Sequence, residues 1–171
     1  MKLGRTLALI IPLLVSGCGY RLAALKGNEG AGRTFAVPTF VNSTTGYRIE
    51  QKISEAVRQE LARRTRYTVT AQPFGDVVLN GEVVGYNNTS PTVFNDQGRA
   101  SQYAIAVELK ILVTETASGK ELFRNESMTF RDSFQLSQNA KDFVPEDPAA
   151  IDRLASRFAS SLVASLLHNP Q

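Results

Sequence analysis

The chain has 171 residues, 43% of them hydrophobic and 20% charged, which suits one globular domain and excludes a disordered or membrane-spanning protein. Its formal net charge is +3; setting aside Lys2 and Arg5, which fall in a leader segment, removes two of those charges and leaves +1. A near-neutral chain without a basic groove-entering helix excludes nucleic acid as a partner, and a single cysteine excludes an intrachain disulfide.

Taken in chain order, the first element is a leader. Lys2 and Arg5 precede the apolar run Leu7 to Val15, and Ser16-Gly17-Cys18 follows. A positive start, a short apolar stretch and small residues before a cut make an export signal over residues 1–17. The run is too short to cross a bilayer, which needs roughly 20 residues. Val15-Ser16-Gly17-Cys18 resembles the lipobox of bacterial lipoproteins, so Cys18 is expected to become the acylated N-terminus of the mature chain. Lipidation also removes a lone thiol that an oxidising compartment would attack. Gly19, a non-acidic neighbour, is compatible with sorting to an outer membrane. Residues 18–33 carry four glycines and no period, and read as a lipidated flexible tether. Residues 34–171 then form the single folded domain.

Within that domain, Thr34 to Asn42 reads as a strand, with Pro38 confining it to an edge or a bulge. Asn42 to Gly46 is turn chemistry. Arg48 to Arg64 predicts a helix, because Ile49, Ile53, Val57 and Leu61 recur every four residues and Arg63-Arg64 suit the C-terminal dipole. Asp76 to Asn87 predicts a strand with Val77, Leu79 and Val83 on one face, where Gly81 and Gly85 leave space. Asn87 to Ala100 reads as a long loop. Ser101 to Val113 alternates from Tyr103 through Ile105, Val107, Leu109, Ile111 and Val113, which should face the core. Glu121 to Phe134 pairs with it through a short loop with Gly119 at a left-handed position, and a change of apolar parity near Asn125-Glu126 predicts a bulge. Asp147 and Pro148 cap and open a last helix, whose stripe is Ile151, Leu154, Ala155, Phe158, Leu162 and Leu166. The fold expected is α+β: a single four-stranded mixed sheet in β-α-β-β-β-α order with two helices packed on one face. The first strand-helix-strand unit should join parallel strands, and the other two connections should be antiparallel hairpins.

Chemistry is sparse. His168 sits in the terminal tail, Cys18 is consumed by lipid, and Glu146-Asp147 reads as helix capping rather than a calcium site. Gly81 and Gly85 lack the third glycine and following helix of a phosphate loop. The residues therefore point to no enzyme, no metal and no cofactor. What remains is basic: Arg99 in the long loop, Lys120 at the hairpin tip, and Lys110 and Arg124 on the adjoining strands. If tip and loop lie close, they offer several cations to an anionic partner.

The ordered set Cys18-Gly19-Tyr20-Arg21-Leu22, Val37 to Thr44, Ile49 to Ile53, Glu60 to Arg64, Tyr67-Thr68-Val69, Asp76 to Val83 and Arg99 to Tyr103 resembles the LptE family, the lipopolysaccharide-assembly lipoproteins. The resemblance covers most of the mature chain, and the element order agrees. It implies an outer-membrane lipoprotein, anchored on the periplasmic side. Such a protein sits inside and stabilises the lipopolysaccharide translocon barrel LptD and contacts lipopolysaccharide itself. Arg99, Lys120, Arg124 and the weaker candidate Lys110 are the residues expected to meet its phosphorylated sugar. A second class stays open, since lipoproteins with a similar opening strand, turn and helix activate cell-wall synthases or belong to secretion machines. Copurification with a barrel rather than with a penicillin-binding protein separates the two.

Overall fold

A computed structural model describes residues 31–94, 96, 98, 100–135 and 148–168. The leader, Cys18, most of the tether, Arg99 and the Asp147 cap lie outside those residues. The elements are β1 (Thr34–Ala36), β2 (Val41–Asn42), α1 (Ile49–Arg64), β3 (Thr68–Thr70), β4 (Val77–Phe94), β5 (Ala100–Glu115), β6 (Glu121–Gln135) and α2 (Pro148–His168). The mixed α+β character stands, but the sheet has six strands rather than four, in the order β3-β1-β4-β5-β6 with β2 also on β4.

Two differences account for the change, and a third lengthens β4. Pro38 has no N–H to give to a ladder, so the expected strand 34–42 breaks into β1 and β2. Both run parallel to β4, at Val77–Val78 and at Glu82–Val83. Between them the chain lifts off the sheet and drops Phe40 into the core, only 3% exposed. Its N–H is received by the buried Ser54 Oγ at 2.9 Å, so burying the backbone leaves no orphan donor. The short β3, which has almost no periodicity to betray it, adds outside β1 in parallel. Finally, Asn87 to Ala100 is not a long loop. Despite its turn-like composition, β4 continues to Phe94 and stays paired with β5, taking up Pro91 through register shifts on either side of it.

The rest follows the expected pattern. β4–β5 and β5–β6 are antiparallel, and β1 and β3 on either side of α1 are parallel. Leu109 pairs with Met128 but Ile111 pairs with Asn125, so two residues face Lys110 and the expected bulge is present. Gly119 has φ 66°. Ile105, Val107, Leu109, Ile111 and Val113 are buried, and so are the stripes of both helices except the half-buried Leu166. One placement differs. A register shift after Val83 sets Gly85 opposite Glu108, where a Cβ would lie 3.0 Å from Glu108 Cβ; Gly85 therefore faces away from the core. The helices are tied to each other at Glu60, which accepts Ser160 Oγ at 3.0 Å and pairs with Arg63 and Arg64.

Candidate functional site

With the helices on one face of the sheet, the even-numbered side of β5 is left bare. Lys110 is exposed there and Leu112 half-buried. Cross-strand pairing sets Glu82 of β4 opposite Lys110 and Arg124 of β6 opposite Leu112. The edge strand β2 contributes Val41, 62% exposed, because Val41 pairs with Glu82. These side chains and Glu126 line a shallow depression of about 300 Å³. Two of the four cations expected from sequence, Lys110 and Arg124, thus meet in one place. Glu82 and Val41 were not foreseen as members; only the even-numbered parity of the strand could have signalled that side.

The two cations are not equivalent. Arg124 is clamped: it donates to both oxygens of Glu121, at 2.9 and 2.7 Å, and to Glu126 at 2.7 Å. Those hydrogen bonds, Glu121 first, push the guanidinium pKa further up and hold the Glu121 carboxyl below its usual range. Lys110 has no ion pair among the described residues. An incoming phosphate would have to compete with two bound carboxylates for Arg124, whereas none of the described residues is ion-paired with Lys110.

Lys120 stands apart at the β5–β6 turn, which closes through Gly119 N–H to Glu115 O and Glu115 N–H to Lys120 O, both 2.9 Å. Glu115 there is held below its usual pKa by hydrogen bonds from Arg33 and Ser118. Arg99 immediately precedes Ala100, the first residue of β5, whereas Lys120 lies just beyond Glu115, the last. Sixteen residues of strand, roughly 50 Å at about 3.3 Å each, separate the two ends. The hairpin tip and the far end of β5 therefore do not form one cation patch.

Among the described residues no group of three or more His, Cys, Asp or Glu is placed to hold a metal ion, and no helix is long and apolar enough to cross a membrane. Together, two helices on one face of a six-stranded mixed sheet and a charged depression on the other define an α+β domain. Solved structures share that fold. Protein XCC0632 from Xanthomonas campestris matches at TM-score 0.52 and 14% identity over 80% of this chain and 85% of its own. A PelC variant dodecamer from Paraburkholderia phytofirmans matches at 0.50 and 13%, over 82% and 90%. Protein CT253 from Chlamydia trachomatis matches at 0.51 and 10%, over 80% and 96%. At such identities they bear on architecture alone, and no curated protein matches the chain.

The family model decides the identity. LptE, described as lipopolysaccharide-assembly, matches residues 32–166, most of the chain and nearly all of the folded domain. The chain belongs to the LptE family, a family of non-enzymatic lipoproteins working in lipopolysaccharide transport.

Proposed function

We propose that this protein is an outer-membrane lipoprotein that binds and stabilises the LptD translocon barrel and assists lipopolysaccharide insertion at the cell surface. Residues 1–17 are its export signal, Cys18 carries the acyl chains, residues 18–33 form the tether and residues 34–171 the domain. It works by binding, not by catalysis. The observation that carries this reading is the family match over residues 32–166; the lipobox-like Val15 to Cys18 supports the anchor, since two or more acyl chains hold a protein stably to a membrane.

Phosphorylated sugar is read as the ligand of Lys110, Arg124, Lys120 and Arg99. Lys110 and Arg124 share the depression on the sheet, and Lys120 and Arg99 serve separate ends of β5. A pull-down from detergent-solubilised outer membrane tests the reading. It should recover a barrel protein together with lipopolysaccharide; recovery of a penicillin-binding protein in their place would overturn it.

A further inference from the structure

The sheet ends on β6, which has no strand on its outer side among the described residues. Exposed edges are usually guarded, and here the guards stand at two places. Near the bulge, the Ser127 N–H donates to the Asn125 side chain at 3.0 Å. Six residues on, the Ser133 N–H donates to Asp132 at 2.9 Å, and the Ser133 carbonyl accepts the Arg153 guanidinium at 3.3 Å. A residue whose two backbone groups are taken by side chains turns them away from β5. Antiparallel pairing alternates inward and outward, and Met128 to Gln135 pair with β5 without a shift of register. Thr129 and Arg131 therefore also turn their N–H and C=O outward. On that side neither has a backbone partner among the described residues. Between the guards, Met128 to Asp132 contains neither proline nor lysine.

The edge is open where the apolar surface beside it is incompletely covered. Met128 and Phe130 pack against the core yet stay half-buried, although the Phe130 ring meets Phe158 of α2 edge-on at 5.2 Å. An added strand would bond the free backbone groups and lay alternate side chains against Met128 and Phe130, which is how strand addition gains both affinity and register.

The charges around this window say what kind of strand fits. On the helix side Asp132 pairs with Arg153 at 3.0 Å and more loosely with Arg157 at 3.6 Å. On the bare side Glu108 already accepts Ser127 Oγ, and the exposed Arg131 has no ion pair among the described residues. Three cations thus face two carboxylates, and Arg131 is the one left over. A second copy laid antiparallel on residues 128–132 would set two Arg131 guanidiniums one diagonal apart, which their like charge opposes. A different chain with a carboxylate at that place fits. A closed barrel has no free strand edge in its wall, so what it can offer from inside is an extended loop or terminal segment.

We propose that residues 128–132 of β6 are a docking edge, onto which an extended segment of the barrel partner, lying in its lumen, adds as a further strand. Its main chain bonds Thr129 and Arg131, its apolar side chains cover Met128 and Phe130, and a carboxylate on its other face meets Arg131. The proposal rests on the reading of this protein as barrel-resident and names the surface by which it is held.

Thr129→Pro tests it, because proline on an outward position of an edge strand removes only the outward donor. Full-length wild type and variant are each isolated from detergent-solubilised outer membrane. The wild type should bring the barrel protein with it, and Thr129→Pro about tenfold less, for a lost main-chain hydrogen bond and a hindered approach. Arg131→Glu should also lower recovery, and Arg131→Lys should restore it. Amide hydrogen exchange on the wild type gives a second measurement that holds even if Thr129→Pro fails to fold. In the chain alone, the Thr129 and Arg131 amides should exchange much faster than the Phe130 amide, which faces β5; in the complex all three should be slow. Fast exchange at 129 and 131 in the complex, or undiminished recovery with a folded Thr129→Pro, overturns the docking edge and leaves the barrel reading standing. Slow exchange in the chain alone overturns it too: protection lost on dilution makes the occupant a second copy, and protection that persists means that the edge is covered from within the chain. If the wild type brings down no barrel protein, the barrel reading and this proposal fall together.

Discussion

The Phe40 ring occupies the space that a side chain at position 81 would need: a Cβ on Gly81 would lie 2.5 Å from ring atoms Cδ2 and Cε2. The ring cannot yield easily, since it packs edge-on against Phe158 of α2 at 6.5 Å and its backbone is pinned to Ser54. Glycine on β4 and phenylalanine in the break between β1 and β2 are one device, which lets the interrupted strand dip into the core. Gly81→Ala should therefore destabilise the fold by about 1–3 kcal/mol, the usual cost of overpacking. Adding Phe40→Leu to it should recover part of the loss. Urea midpoints for both variants check this; an unshifted Gly81→Ala midpoint would show the ring free to move.

Ser54 supplies a second test of the same break. It is fully buried on α1, accepts the Phe40 N–H and donates to the Glu50 carbonyl. Ser54→Ala keeps the helix but leaves a buried N–H without an acceptor, at about 1–3 kcal/mol. Hydrogen exchange at the Phe40 amide should accelerate beyond what the global loss explains. Exchange slowed only by global stability would argue that another acceptor takes over.

Val107 stands at the centre of β5, fully buried. Val107→Asp places an unpaired charge there and should cost several kcal/mol, enough to abolish cooperative unfolding at ordinary temperature. Glu108→Gln, one residue away on the half-exposed side, is the control and should leave the melting temperature nearly unchanged. Equal effects at the two positions would reverse the assignment of faces.

Acid should loosen the helix pair. Burial by itself would raise the Glu60 carboxyl, but hydrogen bonds from Arg63 and Ser160 and the charge of Arg64 outweigh it and hold the folded pKa below the ordinary value. A depressed folded pKa contributes stability above the unfolded value of about 4.3, and that contribution is lost as pH falls through the folded one. Glu60→Gln should be less stable than wild type at neutral pH and should lose less on acidification. Parallel stability–pH curves for the two proteins would show that Glu60 is not a linked group.

How much of this was legible in the sequence follows the period of each element. The stripe Ile49, Ile53, Val57, Leu61 and the alternation of Ile105 to Val113 are long enough to declare their own geometry, and the reversal of parity after Phe123 exposed the β6 bulge. β3 has three residues and was missed because so short a strand has no pattern of its own; it exists through pairing with β1. Residues 87–94 misled because Asn, Thr and Pro favour turns locally, whereas the ladder to β5 overrides that preference. The four candidate cations were chosen by charge alone, which says nothing of their grouping. Lys110 and Arg124 come together only through cross-strand register, and the separation of Arg99 from Lys120 depends on how far the pairing extends.

That separation yields the last expectation. On the proposed reading, Arg99→Asp and Lys120→Asp each weaken lipopolysaccharide binding. Because the two positions lie at opposite ends of β5, they cannot hold the same phosphate group, so their effects should add to within about 0.3–0.5 kcal/mol. Lys110→Asp and Arg124→Gln alter neighbours in one depression and should instead couple, within the 0.5–3 kcal/mol range typical of residues sharing a partner. Arg124→Gln alone has two opposing consequences, since it removes a cation and also releases Glu121 and Glu126 beside Lys110. The larger single loss is therefore expected from Lys110→Asp. Binding should weaken with salt for wild type, because exposed charges are screened over about 8–10 Å at ordinary ionic strength. Titration of lipopolysaccharide against both double-mutant cycles gives the answer. Strong coupling between positions 99 and 120 would mean that they meet one group, against the strand length; wild-type binding by all four variants would remove these cations from the ligand site while leaving the barrel-binding role untouched.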